Sequence, residues 1–137
     1  MKRLLLAAGL LTGACCVGLQ AQIPDARANV PFDFWVGQKL LPAGDYTISH
    51  TASGAIIISE WERKARSTAT FLAGTVSRPE SQGAGLLEFN RYGNTYFLQK
   101  IWKPSQMEGL TVPRSSREKE LLSRSVPNKT NVALLDK

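Results

Sequence analysis

The chain has 137 residues, 43% of them hydrophobic, and its 17 basic and 11 acidic side chains give a formal net charge of +6. This length is that of a single domain, and the apolar content is enough for a globular core. One histidine and two cysteines in the whole chain leave few residues for a metal centre or for thiol chemistry.

The N-terminus has the layout of a secretory signal peptide. Lys2 and Arg3 supply a positive start, residues 4–11 form a short apolar run, and small residues follow. We expect cleavage after Ala21. A second cut, after Ala28, fits the small-x-small rule better but lies farther from the apolar run. The protein is therefore predicted to be exported, to the periplasm or the extracellular space.

Both cysteines, Cys15 and Cys16, lie inside this segment. Cleavage after Ala21 leaves a mature chain without a disulfide, a thiolate metal ligand or a thiol nucleophile. Alternatively, Cys15 ends a lipoprotein box and carries a lipid anchor, although Thr12 stands where that box usually has a bulky aliphatic residue. A transmembrane helix is disfavoured because the apolar run is diluted by Gly, Thr and Cys and is shorter than the ~20 residues a span needs.

Strand signals dominate from Asn29 to Lys103. Alternating or β-branched runs between turn residues predict successive strands over residues 30–36, 45–50, 55–61 and 67–76. The charged residues 62–66 indicate a hairpin tip, and the composition of residues 78–85 is that of a loop.

The clearest hairpin turns at residues 93–94, a Gly-Asn pair in which both residues tolerate the positive φ that a tight two-residue turn demands. This turn sets Phe89 opposite Leu98 and Leu87 opposite Lys100. Leu86 falls opposite Ile101, so both faces of the hairpin carry apolar side chains. This is typical of a strand inside a sandwich or inside a closed barrel with a covering helix.

After the strands the hydrophobic period changes to that of a helix, over residues 115–124. Ser115 and Glu118 form a capping box, in which each side chain bonds the backbone N–H of the other residue. Leu121 and Leu122 are expected to anchor one face of this helix.

Several spaced blocks resemble a family of small exported bacterial all-β proteins of uncharacterised function. The blocks are Val30-Pro31-Phe32-Asp33-Phe34, Leu41-Pro42-Ala43-Gly44-Asp45-Tyr46-Thr47-Ile48, Phe89-Asn90-Arg91-Tyr92-Gly93, Tyr96-Phe97-Leu98, and Ser115, Arg117, Glu118 and Leu121 of the helix. The resemblance spans about Asn29 to Arg124. It implies an all-β fold and export, and it brings no catalytic or binding residues with it.

Enzyme chemistry finds little support in the sequence. His50 is the sole imidazole, and the carboxylates show no ligand-like spacing, so we expect no metal and no cofactor. No Gly-x-Ser-x-Gly elbow surrounds a serine. We therefore expect a protein that is not an enzyme, with a hydrolase as the most distant of the possibilities considered.

Aromatic side chains are the better functional hint. Exposed Trp on a sheet face suits sugar stacking or the hydrophobic anchor of a partner, whereas the alternative is that these rings fill the core. The candidates for ligand or partner contact are Trp35, Trp61, Trp102, Tyr46 and Tyr96. Basic and aromatic residues also alternate at residues 100–103, but export makes nucleic acid an improbable partner.

The sequence thus predicts a signal peptide over residues 1–21, a β domain over 22–125 and a tail or edge strand over 126–137. The domain is expected to be an all-β sandwich or barrel of about seven strands with one short C-terminal helix. We expect a non-catalytic exported protein that binds a protein partner or a surface polymer of the cell envelope. The alternative is a barrel-type carrier of a small apolar or sugar-like ligand.

Overall fold

A computed structural model describes residues 26–61, 67–77, 83–104 and 106–135. The expected signal peptide, Ala21, both cysteines, the charged tip at residues 62–66 and most of the loop at 78–85 lie outside the described residues. The described residues form eleven strands and one helix. These are β1 (Ala26–Val30), β2 (Phe34–Val36), β3 (Lys39–Leu41), β4 (Gly44–His50), β5 (Ala55–Glu60), β6 (Thr68–Leu72), β7 (Gly74–Ser77), β8 (Leu86–Tyr92), β9 (Thr95–Trp102), β10 (Glu108–Thr111), α1 (Ser116–Arg124) and β11 (Asn128–Leu135).

The strands form one curved sheet in the order β3-β2-β9-β8-β11-β1-β4-β5-β6. β10 pairs with β9 and with β7, and β7 continues from β6 after the single residue Ala73. The sheet therefore returns on itself as a nearly closed barrel that is open at a seam between β3 and β6. This confirms the predicted all-β fold with a short C-terminal helix.

The described residues form four more strands than the seven expected, because two predicted strands are each broken in two and because β3 and β10 were not predicted. The run over residues 30–36 is interrupted at residues 31–33. Pro31 has no backbone N–H to donate to a neighbouring strand, so the strand ends there. The Thr-rich run likewise divides at Ala73 into β6 and β7. Both breaks allow a short sheet to bend around a small core.

The inward-facing side chains form one hydrophobic core. Phe34 contacts Tyr46 and Phe89 edge to face, with ring centroids 5.1 and 5.5 Å apart. All three rings are at most 1% exposed, so aromatic side chains occupy the centre of the barrel. Phe97 is equally buried but packs on the outer face, against Tyr92.

The β8–β9 hairpin has the predicted turn but not the predicted register throughout. Phe89 lies opposite Leu98 as expected, whereas Leu87 lies opposite Ile101 rather than Lys100. The difference is a β-bulge in which Gln99 is the extra residue of β9. Such an insertion shifts every later pair by one position.

The C-terminal segment is neither a tail nor an edge. β11 pairs with β8 over six residues and with β1 at Arg27 and Ala28, so it is an interior strand of the sheet. Its side chains alternate between partly buried and exposed, a weak pattern in the sequence. The prediction of an edge strand or tail was therefore wrong at this point.

Candidate partner-binding groove

The five aromatic residues predicted as contact residues do not form one surface. Tyr46 and Trp102 are buried, Trp35 and Tyr96 are partly buried, and Trp61 is 37% exposed. Tyr46 and Trp102 are too buried to present their rings at the surface, which does not favour them as contact residues.

Tyr46 belongs to the barrel core. Its ring meets Phe34, and its hydroxyl donates a hydrogen bond to the Pro42 carbonyl. Burial, followed by the nearby charges of Glu60 and Asp33, raises the pKa of Tyr46 to about 12. The phenol therefore stays neutral and structural under ordinary conditions.

Trp102 is part of a small polar cluster on the outer face. Its indole N–H donates to Glu88 at 3.2 Å, and Lys129 lies 3.3 Å from the same carboxylate. Burial by itself raises the pKa of Glu88, but the Trp102 hydrogen bond and the charges of Lys100 and Lys129 outweigh it and lower the pKa from its ordinary value. Trp102 thus orders a charge cluster between β8, β9 and β11.

The exposed Trp61 and the partly buried Tyr96 already contact neighbouring side chains. The Arg27 guanidinium lies 3.9 Å from the Trp61 ring centroid. Tyr96 is stacked on Phe32, with centroids 3.7 Å apart. Each ring therefore already has one neighbour stacked on it, which leaves less of its surface for sugar stacking.

Trp35 lies at the junction between the sheet and the helix. Its ring stacks on Phe97 at a centroid distance of 6.2 Å, and the Arg117 guanidinium lies 4.5 Å from its centroid. A notch of about 350 Å³ is bordered here by Trp35, Arg117, Gly37 and Gln38, together with Ser115 and Ser116.

The helix is attached to the barrel through a carboxylate rather than through leucines. Glu118 is the one residue of α1 that is buried, at 1% exposure. Leu121 is partly buried and Leu122 is 37% exposed, so the predicted apolar anchor was wrong.

Three neutral side chains of the barrel wall donate hydrogen bonds to Glu118. Gln99 donates to both oxygens at 2.7 Å, Asn90 donates at 3.2 Å and Tyr92 at 3.3 Å. Burial and then the Glu118 charge raise the pKa of Tyr92. A buried carboxylate needs such donors because it has lost its water.

Only one half of the predicted capping box matches the structure. The Glu118 backbone N–H donates to Ser115 Oγ at 3.2 Å, as expected for an N-cap. The Glu118 side chain turns instead to the donors on β8 and β9. Gln99 is brought to it by the bulge, and Arg114 donates to Gln99 Oε1 at 3.3 Å.

The seam between β3 and β6 forms a second groove, which we call the seam groove. It has a volume of about 580 Å³ and is lined by residues 36–39 at the β2–β3 turn, residues 68–71 of β6, and Pro113. It adjoins the notch at Trp35, since Gly37 and Gln38 border both.

β6 presents an edge to this groove. Its ladder pairs with β5 on one side, and on the other side β3 approaches it without pairing within the described residues. The Glu60 N–H donates to the Ser67 carbonyl, so Ser67, Ala69 and Phe71 direct their backbone groups to β5. The alternate residue Thr70, which is exposed, therefore directs its N–H and C=O toward the seam.

Within the described part of the chain, no group of three or more His, Cys, Asp or Glu side chains could hold a metal ion. His50 is partly buried and lies at the end of β4. No helix among the described residues is long and apolar enough to cross a membrane.

Comparison with protein-family models, with curated proteins and with solved structures found no match to this chain. Its function must therefore be inferred from the geometry of the described residues.

Proposed function

We propose that this chain is a non-catalytic exported protein that binds a protein partner by accepting an extended segment of it as a strand at the seam groove. The edge of β6 at Thr70 is the observation that carries the proposal. A strand with an unpaired side has a row of backbone donors and acceptors, and an extended peptide satisfies them by β-augmentation.

A protein partner fits these features better than a surface polymer. Polysaccharide binding on a sheet uses aromatic faces open to the ligand, whereas an arginine already lies against one face of each exposed or partly exposed indole, Arg117 on Trp35 and Arg27 on Trp61. Backbone groups at an edge recognise another backbone and need no such platform. A small-ligand carrier is less well supported because Phe34, Tyr46 and Phe89 occupy the barrel centre.

Export with cleavage after Ala21 is part of the same proposal. Ala26 and Ala28 are core residues of β1, at 8% and 0% exposure, and β1 lies between β11 and β4. Cleavage after Ala28 would remove three of the five residues of that strand. The need for β1 supports the earlier cut, with the lipid anchor at Cys15 as the alternative.

The test is affinity capture from an envelope extract of the source cells, using the tagged mature chain and its Thr70→Pro variant. Proline removes the N–H that faces the seam but leaves the β5 ladder intact. Thr70→Val is the matched control because it keeps both the N–H and the β-branched shape.

We expect a protein retained by the wild type and by Thr70→Val to be depleted about tenfold or more by Thr70→Pro, which corresponds to about 1.4 kcal/mol. Far-UV circular dichroism checks that each variant folds. If Thr70→Pro does not fold, Leu72→Lys places a charge on the same edge, at a side chain that is 70% exposed. Equal retention by all variants, or recovery of a small molecule or polymer without protein, would contradict the proposal.

A further inference from the structure

The seam groove also indicates the chemistry of its occupant. We infer that the partner segment is an acidic extended peptide, with apolar side chains on one face of the strand and carboxylates on the other. This inference rests on the proposed function and specifies the partner of the same site.

The charge of the groove supports the carboxylates. Among the described residues that line it, Lys39 is the single charged one, and its side chain is exposed. Arg117 borders the adjoining notch across Gly37 and Gln38. Each depression thus has one cation and no acidic residue among its described lining residues. This charge attracts an anionic segment and repels a basic one.

The floor of the groove supports the apolar face. Val36 is buried at 4% exposure, and Phe71 packs partly exposed against the barrel core. Pro113 borders the same depression. A strand added along β6 directs alternate side chains to this floor and the intervening ones outward, toward the cationic rim.

The length of β6 sets the length of the partner segment. β6 has five residues, which corresponds to about 17 Å of extended chain. A partner segment of about five to seven residues matches this length, and the two-residue period of a strand places two or three carboxylates on its outer face.

The experiment uses two synthetic seven-residue peptides with blocked termini, one alternating valine with glutamate and the other alternating valine with lysine. Binding to the mature chain is followed by amide chemical shifts in ¹⁵N NMR spectra at low salt. We expect the glutamate peptide to shift the amides of Thr70 and Leu72 and to bind at least about fivefold more tightly than the lysine peptide. This preference should weaken as salt is added.

Lys39→Glu tests the assigned cation, and Lys119→Glu is its control, since it makes the same charge change at an exposed helix position outside both lining sets. We expect Lys39→Glu to abolish or reverse the preference and Lys119→Glu to retain most of it. Lys39→Gln provides a milder variant should the charge reversal perturb the turn.

The outcomes separate this inference from the proposed function. Equal binding of both peptides, lost in Thr70→Pro, overturns the acidic preference and leaves strand addition in place. Binding of neither peptide at millimolar concentration also overturns the inference. The proposed function is then judged by the capture comparison between Thr70→Pro and Thr70→Val, which does not depend on the charge of the segment.

Discussion

Gln99 donates hydrogen bonds from Nε2 to both carboxylate oxygens of Glu118, each at 2.7 Å. The contact joins the extra residue of a β-bulge to the buried residue of the C-terminal helix. It links the outer wall of the barrel to α1, which in turn places Arg117 over Trp35 beside the candidate groove.

Replacing Glu118 should destabilise the protein strongly. Glu118→Ala leaves Gln99, Asn90 and Tyr92 without their buried acceptor, and we expect a loss of about 2–4 kcal/mol in the free energy of unfolding. Urea denaturation measures it. Glu120→Ala is the control, because its pair with Arg124 is exposed and its loss should cost less than about 0.5 kcal/mol. Similar losses in the two variants would show that Glu118 does not hold the helix.

The coupling between Glu118 and Gln99 can be measured directly. A double-mutant cycle of Glu118→Ala and Gln99→Ala should give an interaction energy of about 1–3 kcal/mol, since the two side chains contact each other. A parallel cycle of Glu120→Ala with Gln99→Ala should be additive within about 0.5 kcal/mol. Additivity in the first cycle would contradict the contact.

The raised pKa of Tyr46 predicts that the protein loses stability at alkaline pH. Its pKa is about 12 in the folded protein and near 10 in the unfolded chain, so the unfolded state releases the proton first. The contribution of Tyr46 to the free energy of unfolding is therefore complete below pH 10 and is lost as the pH rises toward 12.

We expect Tyr46→Phe to lose less stability than the wild type between pH 9 and pH 11, as measured by urea midpoints. The raised pKa of Tyr92 remains in both proteins, so part of the loss persists. An identical loss in the two proteins would mean that Tyr46 is not the group that titrates.

Gly109 should not tolerate a side chain. A Cβ there would overlap Cε3 of Trp102, so the indole or β10 must shift. Gly109→Ala is expected to cost about 1–3 kcal/mol. Gly44→Ala is the comparison, because its Cβ would meet its nearest atoms at 3.9 Å. Thermal unfolding of both variants provides the measurement, and equal melting temperatures would contradict the close packing of Trp102.

The sequence predicted two local features of the fold correctly. The Gly93-Asn94 turn lies between β8 and β9, and Ser115 caps a helix that ends at Arg124. These features depend on φ preferences and on backbone donors within a few residues of each other, so a single sequence contains the information.

The candidate site was harder to predict. The same Ser-x-x-Glu spacing fits a full capping box, and it also fits an N-cap whose glutamate side chain bonds elsewhere. Which of the two forms depends on whether donors distant in the sequence reach the glutamate. No local signal marks Gln99 as an inserted residue, because a bulge depends on the partner strand. Thr70 at the seam had no sequence signal for its role, because an edge is defined by which strands fail to pair.

Length, apolar content and alternation by themselves determined an all-β domain with a capped C-terminal helix, since these follow from local periodicity and core size. The tertiary structure decided the rest: that β11 lies inside the sheet, that Tyr46 and Trp102 are buried, and that Glu118 rather than a leucine holds α1. Each of these depends on contacts between residues far apart in the chain. Strand order and bulge position set such contacts, and neither is encoded within one stretch of sequence.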